Sequence, residues 1–180
     1  MNEFIRYLKS NEWNVELYET PLTDKKIKSA LSRYPFVSGE YLEFLKTVKR
    51  CINKDETVWF NCIDDFLENN KNLLRWNEFE LSFYLFSDSE EQCNEMVDFW
   101  KNHIPILIIL KDSSQIDQYK SKNNYYALRK DGKIIKGYGY KYDNNDNIIS
   151  NSFGDFLFKL SESDKISTWQ IGNLVLLFLL

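Results

Sequence analysis

Four short stretches in the second half of the chain decide the fold: HIPILIIL at residues 103–110, YYAL at 125–128, DGKI at 131–134 and SFGDFL at 152–157. The first is an unbroken apolar run of strand length, which is typical of a strand covered on both faces. The order of the four predicts a buried strand, a second strand, a tight turn with a returning strand, and a short helix.

The turn and the helix are each predicted by particular residues. Asp131 and Gly132 lie between two β-prone segments, and glycine tolerates the positive φ that a tight hairpin turn requires. Ser152 and Asp155 have the spacing of a capping box at the start of a helix. The buried face predicted for that helix consists of Phe153, Phe156, Leu157 and Leu160.

Helices are expected ahead of this sheet. Residues 24–33 show helical periodicity, and another helix is predicted after Pro35, with Ser38 as its N-cap. The stripe predicted to be buried on that helix consists of Tyr41, Phe44, Leu45, Val48 and Ile52. Residues 57–60 are β-prone, and residues 64–74 return to helical spacing.

A further helix is predicted before the apolar strand. Ser87 and Glu90 form a capping box, and the helix must end before Pro105, whose ring disfavours helical geometry in the preceding residue. Its predicted buried side chains are Cys93, Met96, Val97 and Trp100. Together these elements predict a single α+β domain over residues 1–180, with a mostly antiparallel sheet in the C-terminal half flanked by helices.

Length and composition place the chain among globular proteins. It has 180 residues, of which 43% are apolar, 16% aromatic and 28% charged. That is long enough to bury a core and too apolar for a disordered chain. The net charge of -4 argues against a nucleic-acid partner, because phosphate binding requires a basic surface, and suits a basic protein better.

Two further features indicate where in the cell the protein is expected to be found. Cys51, Cys62 and Cys93 lie far apart without a CxxC pair, so we expect reduced, packed thiols in a cytoplasmic protein, and the first residues show no secretory signal. Residues 174–180 read LVLLFLL. A membrane-spanning helix needs about 20 apolar residues, so we expect this segment to be buried against the domain, with membrane contact as the alternative.

The sequence contains no catalytic motif. His103 is the only histidine and is expected to be a structural residue at the start of the strand. There is no HExxH, GxSxG, SxxK, Walker A or GxGxxG pattern, and residues 143–146 lack the glycine and glutamate positions of a calcium loop. We therefore expect no enzymatic activity and assign no catalytic, cofactor-binding or metal-binding residue.

One surface is a candidate for binding. Glu91, Glu95 and Asp98 lie at i, i+4 and i+7 on the predicted helix, opposite its buried stripe. Glu91 and Glu95 repel each other, and Asp98 faces the negative end of the helix dipole. An acidic face kept at that cost is a candidate for engaging a basic partner, and the alternative is an exposed face that only favours solubility.

The order of these motifs resembles the SUKH superfamily over roughly residues 31–160. In the first part the resemblance rests on Tyr34-Pro35, Tyr41-Leu42-Glu43-Phe44-Leu45, Trp59-Phe60, Asp98-Phe99-Trp100 and His103-Ile104-Pro105-Ile106. In the second part it rests on Tyr125-Tyr126-Ala127-Leu128, Asp131-Gly132-Lys133-Ile134, Ser152-Phe153 and Asp155-Phe156-Leu157. The Asn-Gly turn that usually follows the first of these helices is replaced by residues 50–55, so the first half departs from the family pattern.

The resemblance implies a binding protein without activity of its own. Bacterial members of the superfamily are mostly immunity proteins that bind and neutralise a cognate toxin domain, commonly a nuclease. The expected partner is therefore a toxin, expected to be basic, with neither nucleic acid nor a membrane as partner. An alternative is a regulatory scaffold that resembles the yeast cell-wall assembly regulator. Another is a hydrolase with carboxylate pairs among Asp112, Asp117, Asp143 and Asp146.

Overall fold

A computed structural model describes residues 1–37, 39–67, 89–109, 124–138 and 147–162. The helices in this part of the chain are α1 (Asn2–Ser10), α2 (Asp24–Ala30), α3 (Gly39–Thr47), α4 (Glu90–Asn102) and α5 (Phe153–Glu162). The strands are β1 (Asn14–Leu17), β2 (Val48–Ile52), β3 (Val58–Phe60), β4 (His103–Ile109), β5 (Asn124–Arg129), β6 (Ile134–Tyr138) and β7 (Ile148–Ser150), and a 3-10 turn covers Ile63–Phe66.

The seven strands form one antiparallel sheet in which each strand pairs with the next along the chain, from β1 to β7. The central pair, β4 and β5, runs from His103 opposite Arg129 to Ile109 opposite Asn124. The prediction of an α+β protein with a mostly antiparallel sheet is confirmed. β3 forms at the β-prone residues 57–60, and the sheet extends further toward the N-terminus than predicted through β1 and β2.

The larger core lies on one face of the sheet, under α1, α3 and α5. Phe60 of β3 stands at its centre, with ring centroids 5.8 Å from Phe4 of α1, 5.4 Å from Phe44 of α3 and 6.5 Å from Phe156 of α5. These tilted and edge-on contacts are geometries that aromatic pairs prefer. One strand residue thus joins three helices from distant parts of the sequence.

A second, smaller core lies on the opposite face, under α4. Met96, Phe99 and Trp100 pack there against Ile108 of β4 and Tyr125 of β5. All seven residues of β4 are buried between the two cores. The prediction of a strand that is covered on both faces is therefore confirmed.

Pro105 lies inside the central strand although it has no N–H to donate. A register shift between Pro105 and Leu107 forms a bulge, which is where a sheet tolerates proline. The carbonyl of Pro105 accepts a hydrogen bond from Asn61 Nδ2 at 2.8 Å, and the Asn61 N–H donates to Ile106 O at 2.9 Å. The hydroxyl of Tyr41 donates to Asn61 O at 3.0 Å, so a buried polar chain links α3 to β4.

The predicted hairpin joins β5 and β6. Gly132 has a φ of +87°, and its N–H donates to Arg129 O at 2.9 Å. The carboxylate of Asp131 accepts from Arg129 Nε at 2.8 Å and from the Lys133 N–H at 3.3 Å. The Arg129 guanidinium lowers the pKa of Asp131 to about 2.

The start of α5 is capped from two directions. Ser152 Oγ accepts from the Asp155 N–H at 3.0 Å, as predicted, while the Asp155 carboxylate reaches Ser150 Oγ at 2.6 Å and the Asn151 N–H at 3.4 Å. The Glu40 carboxylate of α3 accepts from the Gly154 N–H at 2.7 Å, across 114 positions of sequence. The four predicted apolar residues of α5 are all buried.

The helix predicted after Pro35 ends earlier than expected. α3 stops at Thr47, so Val48 and Ile52 belong to β2 instead, where Ile52 pairs with Asn14 of β1. Val48 and Ile52 are branched at Cβ, and such residues favour an extended backbone. Of the helix predicted over residues 64–74, the structure describes only 64–67, where the 3-10 turn ends and Leu67 has a ψ of 138°. Residues 68–74, Ser38 and the apolar residues 174–180 lie outside the described residues.

A glycine in β6 faces a ring in β5. Gly137 pairs with Tyr125, and a Cβ atom on Gly137 would overlap the Tyr125 ring. The ring therefore lies directly against the backbone of the neighbouring strand.

We expect Gly137→Ala to destabilise the domain by about 1–3 kcal/mol, because the added methyl group must push the Tyr125 ring out of its packed position. Urea denaturation followed by circular dichroism measures the change. In a Tyr125→Leu background the same substitution should cost much less. An equal cost in both backgrounds would show that the ring is not the obstacle.

The Asp131 contact predicts a pH dependence. Because folding lowers the pKa of Asp131 to about 2, its contribution to stability is present above the unfolded pKa near 3.8 and is lost as the pH falls toward 2. In Arg129→Gln we expect this pKa to rise toward its ordinary value, as measured by NMR titration of the carboxyl carbon. Lys133→Gln is the control, since Lys133 Nζ lies 3.8 Å from the carboxylate and should shift the pKa less.

Candidate partner-binding surface

The acidic surface is carried by α4, whose N-terminus is set by Ser89. The Ser89 hydroxyl accepts from the Gln92 N–H at 3.3 Å, so Ser89 is the N-cap. The prediction of Ser87 as the cap was therefore two residues too early, and Ser87 itself lies outside the described part of the chain. Both serines are suitable N-caps, and sequence alone did not distinguish them.

The inner side of α4 fixes the helix to the sheet. Met96, Phe99 and Trp100 are buried, whereas Cys93 and Val97, which were predicted to be buried, are only half-buried. The Trp100 ring lies 5.0 Å from Phe99 and 5.2 Å from Tyr125 of β5. The buried stripe is thus rotated toward Phe99 relative to the prediction.

The outer side of α4 carries the three predicted carboxylates. Glu91, Glu95 and Asp98 are all exposed. Lys101 donates to Asp98 at 2.9 Å and lies in the last turn, where the helix dipole favours a cation. The structure therefore brings the three predicted residues onto one exposed face, and the dipole cost inferred for Asp98 is offset by Lys101.

His103 connects this helix to the central strand. Its ring stacks on Phe99 with centroids 4.0 Å apart, and Nδ1 lies 2.7 Å from Phe99 O, so Nδ1 carries the proton and donates it. Burial lowers the pKa of the imidazole, which keeps it neutral at pH 7. His103 therefore stands where the sequence placed it, at the start of the strand, and holds the end of α4.

Metal binding and thiol chemistry have little support within the described ranges. No cluster of three or more His, Cys, Asp and Glu side chains there has the arrangement of a metal site. Cys51 and Cys62 are buried free thiols, and burial raises the pKa of both, which disfavours the reactive thiolate. The candidate hydrolase residues Asp112, Asp117, Asp143 and Asp146 lie outside the described residues.

We expect the α4 carboxylates to contribute little to stability. The triple variant Glu91→Gln/Glu95→Gln/Asp98→Asn should change the free energy of unfolding by less than about 0.5 kcal/mol, because exposed charges rarely matter more. Met96→Ala, on the inner side of the same helix, should cost about 2–5 kcal/mol. Urea denaturation of both variants makes the comparison, and a large loss in the triple variant would identify the carboxylates as structural.

Comparisons with protein-family models, with curated proteins and with solved structures find no match to this chain. The resemblance to the SUKH superfamily thus stays a prediction that rests on the residues quoted for it.

Proposed function

We propose that this protein is a cytoplasmic immunity protein that binds a cognate toxin domain, expected to be a basic nuclease, and blocks it without catalysis of its own. The proposal starts from the SUKH-like order of motifs. Tyr34, Phe44, Pro105 and Phe156, which carry that resemblance, are buried or lie in central elements of the fold. Such residues build a scaffold and leave the choice of partner to the surface.

The single observation that carries the proposal is the geometry of α4. Its apolar side is anchored in the second core, while Glu91, Glu95 and Asp98 are held outward on the same rigid helix. Because the helix backbone is already ordered, binding needs no folding of this segment, and its carboxylates attract a basic partner over about 8–10 Å at physiological salt. The substrate groove of a nuclease is a surface of the complementary sign.

Within the described ranges, no helix has the length and apolar composition needed to cross a bilayer.

Co-expression with the product of the neighbouring open reading frame tests the proposal. We expect that product to be toxic when expressed alone, and growth to be restored when this chain is expressed with it. The purified pair should elute as one complex. A neighbouring product that is harmless, or that does not bind, would remove the proposal, and tight binding of several unrelated proteins would favour the regulatory scaffold instead.

The α4 face should control how fast the complex forms. In Glu91→Gln/Glu95→Gln/Asp98→Asn we expect the association rate with the toxin to fall by about tenfold at low salt, with a small change in dissociation rate, because charge complementarity acts mainly on association. The difference should shrink as salt screens the charges. Surface plasmon resonance at several salt concentrations measures both rates.

A matched control separates the face from the net charge. Glu19→Gln/Asp55→Asn/Glu162→Gln removes the same number of negative charges from exposed positions away from the α4 face. We expect this variant to associate nearly as fast as the wild type. An equal loss in both variants would mean that overall charge, and not the α4 face, steers the partner.

A further inference from the structure

A groove opens between α1, α3 and α5, on the outer side of the larger core. It has a volume of about 830 Å³, and its lining includes Phe4 of α1, Glu40 of α3 and Phe158 of α5. These three helices cover one face of the sheet, whereas α4 covers the other. The groove is therefore a separate surface from the acidic face of α4.

The wall that α5 contributes to the groove is largely apolar. Its lining residues are spaced at i, i+3, i+4 and i+7, which places them on one side of the helix: Gly154, Leu157, Phe158 and Ser161. Phe158 is 58% exposed, more than any other large apolar side chain in the described part of the chain, although Leu157 beside it is buried. A ring exposed beside a groove is typical of a binding surface, because contact with a partner removes it from water.

The wall that α3 contributes is acidic. Glu40 and Glu43 line it, and Glu3 of α1 adds a third exposed carboxylate. Among the described residues that line the groove there is no lysine or arginine, and the amino group of Met1 offsets only one of the three carboxylates. The groove therefore combines an apolar wall with an excess of negative charge.

The carboxylates are held in place and can still bind. Glu40 Oε2 accepts from the Gly154 N–H at 2.7 Å, which fixes the side chain between α3 and α5. A carboxylate has about four acceptor sites, so one hydrogen bond leaves others for a partner. Lys46 lies 2.7 Å from Glu43 and 3.0 Å from Asp24, so this cation is shared between two carboxylates and does not neutralise the acidic wall.

We propose that the groove binds a segment of a partner protein in which apolar side chains alternate with arginine or lysine. The apolar side chains of that segment pack against Phe158 and Leu157, and its cations pair with Glu3, Glu40 and Glu43. The charge of the groove disfavours two other occupants, because two facing grooves of this chain would bring like charges together and an anionic membrane surface is repelled. The proposal goes beyond the toxin-binding role proposed for α4 and does not depend on it.

Fluorescence anisotropy of the full chain with a defined peptide tests this binding. The probe is a dye-labelled peptide of repeated Arg-Leu-Leu units, and its counterpart has glutamine in place of every arginine. We expect the arginine peptide to bind about tenfold more tightly than the glutamine peptide, because several ion pairs with exposed carboxylates together contribute about that factor. A peptide with serine in place of every leucine should also bind more weakly, since it leaves the apolar wall uncovered.

A variant of the apolar wall locates the site. Phe158→Ser should weaken binding of the arginine peptide by about tenfold, because the ring no longer packs against the leucine side chains. Leu17→Ser, a matched change at a position in β1 that is 41% exposed, should leave binding unchanged. Both side chains are exposed, so both variants should stay folded, which circular dichroism checks.

A variant of the acidic wall tests the charge. Glu3→Gln/Glu43→Gln should weaken binding of the arginine peptide by about fivefold at low salt and by much less at high salt, where the charges are screened. Glu19→Gln/Asp55→Asn removes the same number of charges from exposed positions that do not line the groove, and it should have little effect.

Several results would overturn the proposal. Binding that is absent, or that is equally tight for the glutamine peptide, excludes recognition of basic side chains. An equal effect of Phe158→Ser and Leu17→Ser excludes the groove as the site. A dimer in sedimentation velocity that Phe158→Ser dissociates would identify a second copy as the occupant, and binding to anionic phospholipid vesicles that Phe158→Ser abolishes would identify a membrane instead.

Discussion

The packing of Phe60 against three helices is the contact on which the rest of the fold depends. β3 is only three residues long, and its Phe60 pairs with Leu107 of β4 while its ring contacts rings from α1, α3 and α5. A sheet in which every strand pairs with its sequence neighbour contains no pairing between its two ends. The helices supply that connection, and the aromatic contacts through Phe60 hold them in place.

The second half of the fold was predictable because its signals are local. Three features determine the structure only of residues close to them in sequence. They are the apolar run of β4, the positive φ of Gly132 and the hydroxyl of Ser152. The first half was not, because β2 is defined by its partner β1, whose residues lie more than thirty positions away. Val48 and Ile52 are four positions apart, which fits a helical stripe as well as a strand. α1 and β1 were not predicted at all, although Phe4, Ile5 and Leu8 have the spacing of a buried helical face.

The sequence predicted which carboxylates form the α4 face but not the ion pair that one of them makes. The exposure of Glu91, Glu95 and Asp98 follows from helical periodicity once the inner side of the helix is known. The pair between Asp98 and Lys101 also has a simple i, i+3 spacing that sequence reasoning passed over. The groove between α1, α3 and α5, which is lined in part by Phe158, was not predictable from the sequence. It exists only because α1, α3 and α5 meet around Phe60, and no pattern within one helix predicts that meeting.

The hydrogen bond from Gly154 to Glu40 has a consequence for synthesis of the protein in the cell. α1 and α3 are translated early, but the helix that covers them, α5, is among the later parts of the described chain to leave the ribosome. At roughly 5–20 residues per second, the apolar sides of the early helices wait for about 5–30 seconds before their cover is made. Until α5 emerges, the nascent chain therefore exposes apolar surface that the folded domain buries.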